Sequence, residues 1–364
     1  MLQKAQDANL EETAGWLAHP RLTGKPLVTL QAVKLNEEGK ETRELFDLAS
    51  IEGSLMEGRR IVLEAPAGRG KTTTLVQLAQ RLGKSARLAF LVDLPSWVRS
   101  PRNTLEFIAH TPPFRSRSND GGNLASLYRT EHFSFLLNRW NEISETYSEE
   151  APRALAQLER SFPAAGIIVA TRTHHISPPL PGSFRAKLLP LNRAQRTEHL
   201  KLSLPDQVEA LDSQLDANHV LDELTRTPLI LAEVATIFRS GAAIPTTKMG
   251  VLGSVTKLLQ HSEEHRDHLQ RPPLTGQASD YLTELSVQMT TRGDVTISEQ
   301  RARSICCSVS FRLRASGQIA TLSEPASVLP NTLYAHHVLE RIEYPWVAFR
   351  FQHQQFQEFY AVLS

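Results

Sequence analysis

A short segment of small residues constrains this chain more than any other part of its sequence. An apolar run at 61–63 precedes it, and a helical pattern with leucines on one face follows from 71 to 82. In such a strand–loop–helix turn, small residues let backbone N–H groups surround a phosphate, and the helix N-terminus adds its dipole. The segment consists of Ala65, Pro66, Ala67, Gly68, Arg69, Gly70, Lys71, Thr72 and Thr73.

This segment matches the phosphate-binding loop (P-loop) pattern in all but its first position. Lys71 would reach the β- and γ-phosphates of a nucleotide, and the Thr72 hydroxyl would ligate Mg²⁺. Ala65 stands where the pattern has its first glycine, which is tolerable if the φ angle of Ala65 is negative. The segment therefore predicts ATP or ADP with Mg²⁺ as cofactors. The alternative interpretation is a glycine-rich turn that holds no ligand.

Later apolar runs predict further strands, at 88–92, 133–137, 165–170 and 186–189. Short apolar runs separated by helical patterns are typical of a parallel sheet covered by helices on both faces. A helix is predicted over 41–57, and an exposed loop over the polar part of 100–123. After Pro190 helical periodicity prevails until 346–351, which alternates as a strand before a helix from about His353. The predicted fold class is α/β: a P-loop NTPase parallel sheet with flanking helices, then a helical domain and a winged-helix domain.

The predicted domain organisation has four parts. They are an N-terminal extension or linker at 1–50, a nucleotide-binding domain at 51–190, a helical domain at 191–245 and a winged-helix domain at 246–364. The sequence stops within an apolar amphipathic helix. We therefore expect a further segment to follow in the parent protein.

Charge and cysteine content narrow the functional classes. Lys and Arg number 40 against 39 Asp and Glu, so the net charge of +1 gives no global attraction to nucleic acid or anionic membranes. No apolar run approaches the ~20 residues that span a bilayer, so we expect no membrane partner. Two adjacent cysteines, Cys306 and Cys307, fit a reducing compartment, and the polar N-terminus is not a secretory signal. The expected localisation is cytoplasmic.

A second requirement of P-loop chemistry, an acidic group at the end of another strand, is only partly met. The run at 133–137 leads into Asn138, where an aspartate would hold Mg²⁺ through water. Glu142 is the one carboxylate in the following turn and is placed to act as a general base. Because Asn138 supplies no charge, hydrolysis is expected to be slow or absent. In the alternative interpretation, Glu142 merely begins a helix and stabilises its N-terminus.

Taken together, the P-loop and the segment 133–143 resemble the two Walker regions of NACHT-type STAND NTPases. Four later segments are similar to further motifs of this family: Ile167 to Arg172, Leu189 to Asn192, Thr227 to Leu231 and Phe349 to Phe359. The resemblance implies that Arg172 senses the γ-phosphate, that Pro228 packs near adenine and that His353 contacts the β-phosphate of ADP. Alternatively, Arg172 is a strand-end ion-pair residue and His353 a satisfied histidine at a helix start.

The family resemblance implies a regulatory ATP/ADP switch in signalling or immune defence. ADP would hold the domains closed, and exchange for ATP would allow self-assembly into a homo-oligomer. Effector and sensor domains would be supplied by other parts of the protein or by partners. One alternative is a turnover enzyme, an AAA-like ATPase or a P-loop kinase; Asn138 weighs against the ATPase. Another is a winged-helix adaptor, although nucleic-acid binding is disfavoured because the helix at 352–360 lacks basic residues.

Overall fold

The computed structural model of the chain describes residues 1–18, 27–66, 68–85, 87–143, 147–173, 177–261, 274, 276–319, 333, 339–342, 347–351 and 354–363. Two predicted site residues, Ala67 and His353, lie outside the described residues. Contacts divide the chain into two compact units, Met1–Ser203 (unit 1) and Leu204–Ser364 (unit 2).

Unit 1 contains a seven-stranded sheet in the order β2-β1-β7-β3-β6-β5-β4. The five strands from β7 to β4 run parallel, and β1 and β2 extend the sheet in antiparallel fashion. Every residue of β5 and β6 is buried, which explains why these strands appear as unbroken apolar runs in the sequence. The strands are β1 (Ala32–Leu35), β2 (Glu41–Phe46), β3 (Arg60–Glu64), β4 (Leu88–Asp93), β5 (Phe133–Asn138), β6 (Gly166–Thr171) and β7 (Phe184–Leu188).

Helices of unit 1 connect these strands, and the predicted α/β class with flanking helices is confirmed. The helix that follows the P-loop, α3, buries Leu75, Leu78 and Leu82 on one face, as its leucine spacing predicts. The helices are α1 (Leu2–Leu17), α2 (Leu48–Met56), α3 (Lys71–Lys84), α4 (Leu94–Arg99), α5 (Thr104–Ala109), α6 (Pro112–Ser116), α7 (Gly121–Leu127), α8 (Glu150–Ser161) and α9 (Arg193–Ser203).

Two local predictions in unit 1 were wrong. The segment 41–57 is not one helix, because residues 41–46 form β2 and only α2 follows. The Asp47 side chain accepts the Ser50 N–H at 2.8 Å and begins α2 there.

The segment 100–123 is not a loop throughout. Its turn-forming residues Asn103 and Asp120 instead cap α5 and α7.

The first 50 residues contribute directly to unit 1. Helix α1 packs against α3 and β4, and β1 lies between β2 and β7 in the sheet. Phe46 at the end of β2 stacks on Phe184 of β7 with ring centroids 5.1 Å apart. The segment assigned above to an extension or linker thus holds two strands of the sheet.

Unit 2 is mainly helical and contains a small antiparallel sheet in the order β8-β10-β9. Strand β10 coincides with the alternating segment predicted at 346–351. In its core, the Tyr281 hydroxyl is 2.9 Å from the Ser310 hydroxyl, and both residues are buried. The described elements are α10 (Val208–Asp216), α11 (His219–Thr225), α12 (Pro228–Arg239), α13 (Lys248–His261), α14 (Ala278–Thr291), β8 (Ile297–Ser298), α15 (Glu299–Ala315), β9 (Leu339–Ile342), β10 (Ala348–Phe351) and α16 (Gln354–Val362).

The boundaries proposed at 190 and 245 stay predictions, as does the winged-helix character of the C-terminal part. Among the described helices, none combines the length and apolar character that crossing a bilayer requires.

Candidate functional site

The P-loop lies between the carboxyl end of β3 and the N-terminus of α3. Gly68 and Gly70 have φ angles of 75° and 96°, in the left-handed region that favours glycine. A Cβ atom on Gly70 would lie 2.6 Å from the Leu30 Cδ1 atom, so the Leu30 side chain would have to shift. The Gly70 carbonyl accepts the Thr74 N–H at 2.9 Å and begins the helix. The φ angle at position 70 is therefore the main reason for glycine there.

Ala65, the departure from the P-loop pattern, does not need to be glycine in this structure. Its φ angle is not positive, and its side chain is fully buried. The Ala65 N–H donates to the Thr171 carbonyl at 3.2 Å, and its own carbonyl accepts from the Thr173 N–H at 3.4 Å. These bonds tie the start of the P-loop to the end of β6.

Lys71 turns back over the loop that precedes it. Its Nζ atom donates to the Ala65 carbonyl at 2.7 Å and to the Pro66 carbonyl at 3.1 Å. The pKa of Lys71 is lowered to about 8, mainly by burial; the positive charge of Arg172 contributes to the lowering, and the negative charge of Glu142 opposes it. Arg172 and Glu142 are therefore both close enough to Lys71 to influence its charge.

Asn138 meets the first turn of α3. Its Nδ2 atom donates to the Thr72 Oγ1 atom at 3.0 Å, and Asn138 itself is 1% exposed. The structure thus brings together the two residues predicted to hold a metal. Thr72 retains a second lone pair for Mg²⁺, whereas Asn138 offers an amide oxygen without charge.

Arg172 follows directly after β6, which lies between the P-loop strand β3 and the strand that carries Asn138. This strand order brings the residues after Thr171 next to the P-loop. The Thr171 hydroxyl is buried and has no hydrogen-bond partner among the described residues. No role was predicted for Thr171 from the sequence, although the apolar run at 165–170 places it at the end of a buried strand.

Sequence reasoning also missed a buried ion-pair cluster on the far side of Asn138. The Arg139 guanidinium contacts the Asp93 carboxylate (Nη1 to Oδ1, 2.5 Å) and lies 3.6 Å from the Glu142 carboxylate. Arg139 has a φ angle of 71°, which costs roughly 1–2 kcal/mol for a residue with a Cβ atom. Asp93 follows the apolar run at 88–92, so the strand-end signal that identified Asn138 could have identified it too.

The structure of unit 1 does not test the roles predicted for Pro228 and His353. Pro228 is the first residue of α12 in unit 2, a position that suits proline because its missing N–H is not needed there. Its predicted place beside adenine stays a prediction. The same holds for the β-phosphate contact of His353, which lies outside the described residues.

The residues of unit 1 fit a nucleoside di- or triphosphate. Helix α3 has 14 residues, and its N-terminus directly follows a loop in which Gly68 and Gly70 adopt positive φ angles. The acceptors named for Lys71 are backbone carbonyls, which bind an ammonium group less strongly than charged phosphate oxygens do. For Mg²⁺, Thr72 and Asn138 supply neutral oxygens, so the charge of the metal must be balanced by the nucleotide phosphates.

No protein-family model matches the sequence, and no curated protein matches it either. Similar solved structures include a Signal Transduction ATPase with Numerous Domains (STAND) protein with a tetratricopeptide repeat sensor from Pyrococcus horikoshii. That pair has 15% identity and a TM-score of 0.41, with 87% of this chain and 42% of the other covered. The chain thus spans less than half the length of the STAND protein.

Two further solved structures show comparable similarity. Drosophila ORC bound to DNA has 13% identity and a TM-score of 0.35, covering 98% of this chain and 92% of the other. Cdc6p from Pyrobaculum aerophilum has 15% identity and a TM-score of 0.34, covering 87% and 90%. At these identities and TM-scores, functional conclusions must come from the site residues of the chain itself.

Proposed function

We propose that this chain is an ATP/ADP-binding regulatory switch of the NACHT/STAND type, with slow or absent ATP hydrolysis. The observation that carries the proposal is the geometry of the P-loop. Lys71 stands at the N-terminus of α3 with its ammonium group on loop carbonyls, and Gly70 has a left-handed φ angle that favours glycine. This arrangement supports binding of a nucleotide polyphosphate.

The neutral side chain of Asn138 supports the regulatory role over rapid turnover. A metal-side carboxylate would polarise the hydration shell of Mg²⁺ and help to balance its charge during phosphoryl transfer. Asn138 instead donates its amide N–H to Thr72. The phosphates of the nucleotide can balance the charge of Mg²⁺ during binding. Cleavage of the γ-phosphate, in contrast, lacks the negative charge that a metal-side carboxylate would supply.

In the proposed cycle, ADP holds the module closed and ATP with Mg²⁺ releases it. Arg172 senses the γ-phosphate, Pro228 packs near adenine, and His353 of a winged-helix domain contacts the β-phosphate of ADP. Release then permits self-assembly into a homo-oligomer, with effector and sensor domains acting in cis or in trans in signalling or defence. A ligand held by groups from separate domains links nucleotide identity to domain arrangement.

The test is to identify the nucleotide that the purified protein carries. The protein is denatured, and released nucleotides are separated by chromatography, for the wild type and for the variants Lys71→Ala and His353→Ala. ADP that co-purifies with the wild type and is lost from both variants is the expected result. ADP lost only from Lys71→Ala would retain the P-loop site and refute the His353 contact. No nucleotide, together with no ATP binding on titration, would refute the switch.

A further inference from the structure

The cluster around Arg139 lies at the ends of two neighbouring strands. Asp93 and Asn138 are direct partners in the parallel register of β4 and β5, so Arg139 starts one residue beyond this pair. The second oxygen of the Asp93 carboxylate accepts the Ser96 hydroxyl at 2.6 Å and the Ser96 N–H at 3.3 Å. Asp93 is therefore held on one side by α4 and binds Arg139 on the other.

Arg139 is attached to Glu142 through both backbone and side chain. The Glu142 N–H donates to the Arg139 carbonyl at 2.9 Å, and the guanidinium Nε atom is 3.6 Å from the Glu142 Oε2 atom. The Arg139 side chain is 3% exposed and that of Glu142 22%, so solvent screens this attraction less than it would for a pair at the surface. Glu142 is thereby linked, through Arg139, to the rigid Asp93.

The ion pair between Arg139 and Glu142 involves a residue with a proposed role in ATP hydrolysis. Glu142 is the carboxylate that influences Lys71 of the P-loop, and it is the candidate base for an attacking water. In ATP hydrolysis, the water oxygen bonds to the γ-phosphorus while the bond to the bridging oxygen breaks. ADP leaves with that electron pair, and one proton of the water passes to a base. A positive charge 3.6 Å from the Glu142 carboxylate favours its ionised form, so it makes the carboxylate a weaker base for that proton.

We propose that Arg139 restrains ATP hydrolysis by holding the Glu142 carboxylate away from the role of general base. Arg139 is a positioning residue in this scheme, because it acts through Glu142 and not on the nucleotide. Glycine or asparagine would adopt the left-handed backbone at position 139 more readily than arginine, so the backbone alone does not account for an arginine there. The inference rests on the proposed function, because it presupposes ATP at the P-loop.

The test measures ATP binding and single-turnover ATP hydrolysis with Mg²⁺ on the full chain. The reference is Asn138→Asp, which restores a metal-side carboxylate, and the test variant adds Arg139→Asn, which suits the same backbone conformation. Adding Glu142→Gln to the double variant identifies the base. Arg153→Asn in the reference chain is the matched control, since it removes an exposed arginine–glutamate pair on α8. Arg139→Gly is the second variant if the first does not fold.

We expect the hydrolysis rate to rise roughly tenfold on Arg139→Asn, with ATP affinity within about twofold of the reference. The gain should disappear with Glu142→Gln and be absent from Arg153→Asn. A residue with a purely structural role would not raise the rate at unchanged affinity. An unchanged or lower rate with ATP still bound, or a gain that persists with Glu142→Gln, would overturn the restraint alone. Failure of the wild-type chain to bind ATP would overturn the proposed function as well.

Discussion

The affinity for ATP should fall as the pH rises through about 8, because the ammonium group of Lys71 must be charged to bind phosphate. Burial, with a smaller contribution from Arg172, lowers the pKa of Lys71 from 10.5 to about 8 in the nucleotide-free chain. Polyphosphate at the P-loop favours the charged form, so binding is at full strength below pH 8. Above pH 8, binding must first take up a proton, which lowers the affinity.

The size of this effect follows from the pKa alone. With a pKa of about 8, about nine tenths of the Lys71 side chains are charged at pH 7 and about one tenth at pH 9. The dissociation constant of ATP should therefore rise about tenfold between pH 7 and pH 9. Terminal phosphates titrate near pH 6, so ATP itself adds little to the change in this range.

The assay is an equilibrium titration with a fluorescent ATP analogue at several pH values between 7 and 9.5. Lys71→Arg is the control, because a guanidinium stays charged throughout this range and should give a flat profile. Equal affinity at pH 7 and pH 9 in the wild type, or an equal loss of affinity in Lys71→Arg, would refute the reasoning.

Substituting the charged neighbours of Lys71 should shift the pH at which the affinity for ATP falls. Arg172 lowers the pKa of Lys71 and Glu142 raises it. The midpoint of the affinity profile should therefore move to higher pH in Arg172→Gln and to lower pH in Glu142→Gln. Shifts in the reverse order would contradict the electrostatic coupling of these three residues.

Further predictions concern the metal side of the site, the P-loop and the sheet. Asn138→Asp should lower the unfolding free energy of the nucleotide-free chain by about 1–3 kcal/mol, because it buries a charge at a position 1% exposed. Added Mg²⁺ and ATP should then raise the melting temperature of this variant more than that of the wild type. Gly70→Ala should cost about 1–2 kcal/mol from its φ angle alone, and more from the contact with Leu30, in denaturant unfolding. Phe46→Ala should cost about 3 kcal/mol, against less than about 0.5 kcal/mol for the exposed Leu45→Ala; equal values would contradict the packing of β2.

Strands β3 to β6 could be predicted from the sequence because near-complete burial leaves an apolar run. Strand β7 reads Phe-Arg-Ala-Lys-Leu with three partly exposed residues, and the run predicted at 186–189 covers only its last three. The edge strand β2 could not be predicted, since it reads Glu-Thr-Arg-Glu-Leu-Phe and its first five residues are at least partly exposed. Such a pattern carries no clear period, and the helix-forming residues that follow in α2 favoured a helix through the whole segment. Only Asp47 marks the true start of α2, through its bond to Ser50.

The P-loop could be predicted because its chemistry depends on residues that are contiguous in sequence. The partnership of Thr72 with Asn138 could be anticipated as well, because strand ends meet at one edge of a parallel sheet. The Asp93–Arg139 pair could not, since it depends on which strands are neighbours and on an unusual φ angle at Arg139. Neither the order of the strands nor this φ angle can be derived from the spacing of residues along the sequence.

The most direct test of the account is calorimetric titration of the nucleotide-depleted protein with ATP in the presence of Mg²⁺. Lys71→Ala removes the ammonium group at the start of α3, and Lys84→Ala removes an exposed one at the end of the same helix. The account predicts binding of one ATP per chain by the wild type and Lys84→Ala, with a loss of affinity of about a hundredfold or more in Lys71→Ala. Equal affinity in all three proteins, or no binding by the wild type, would contradict the assignment of the P-loop as a nucleotide site.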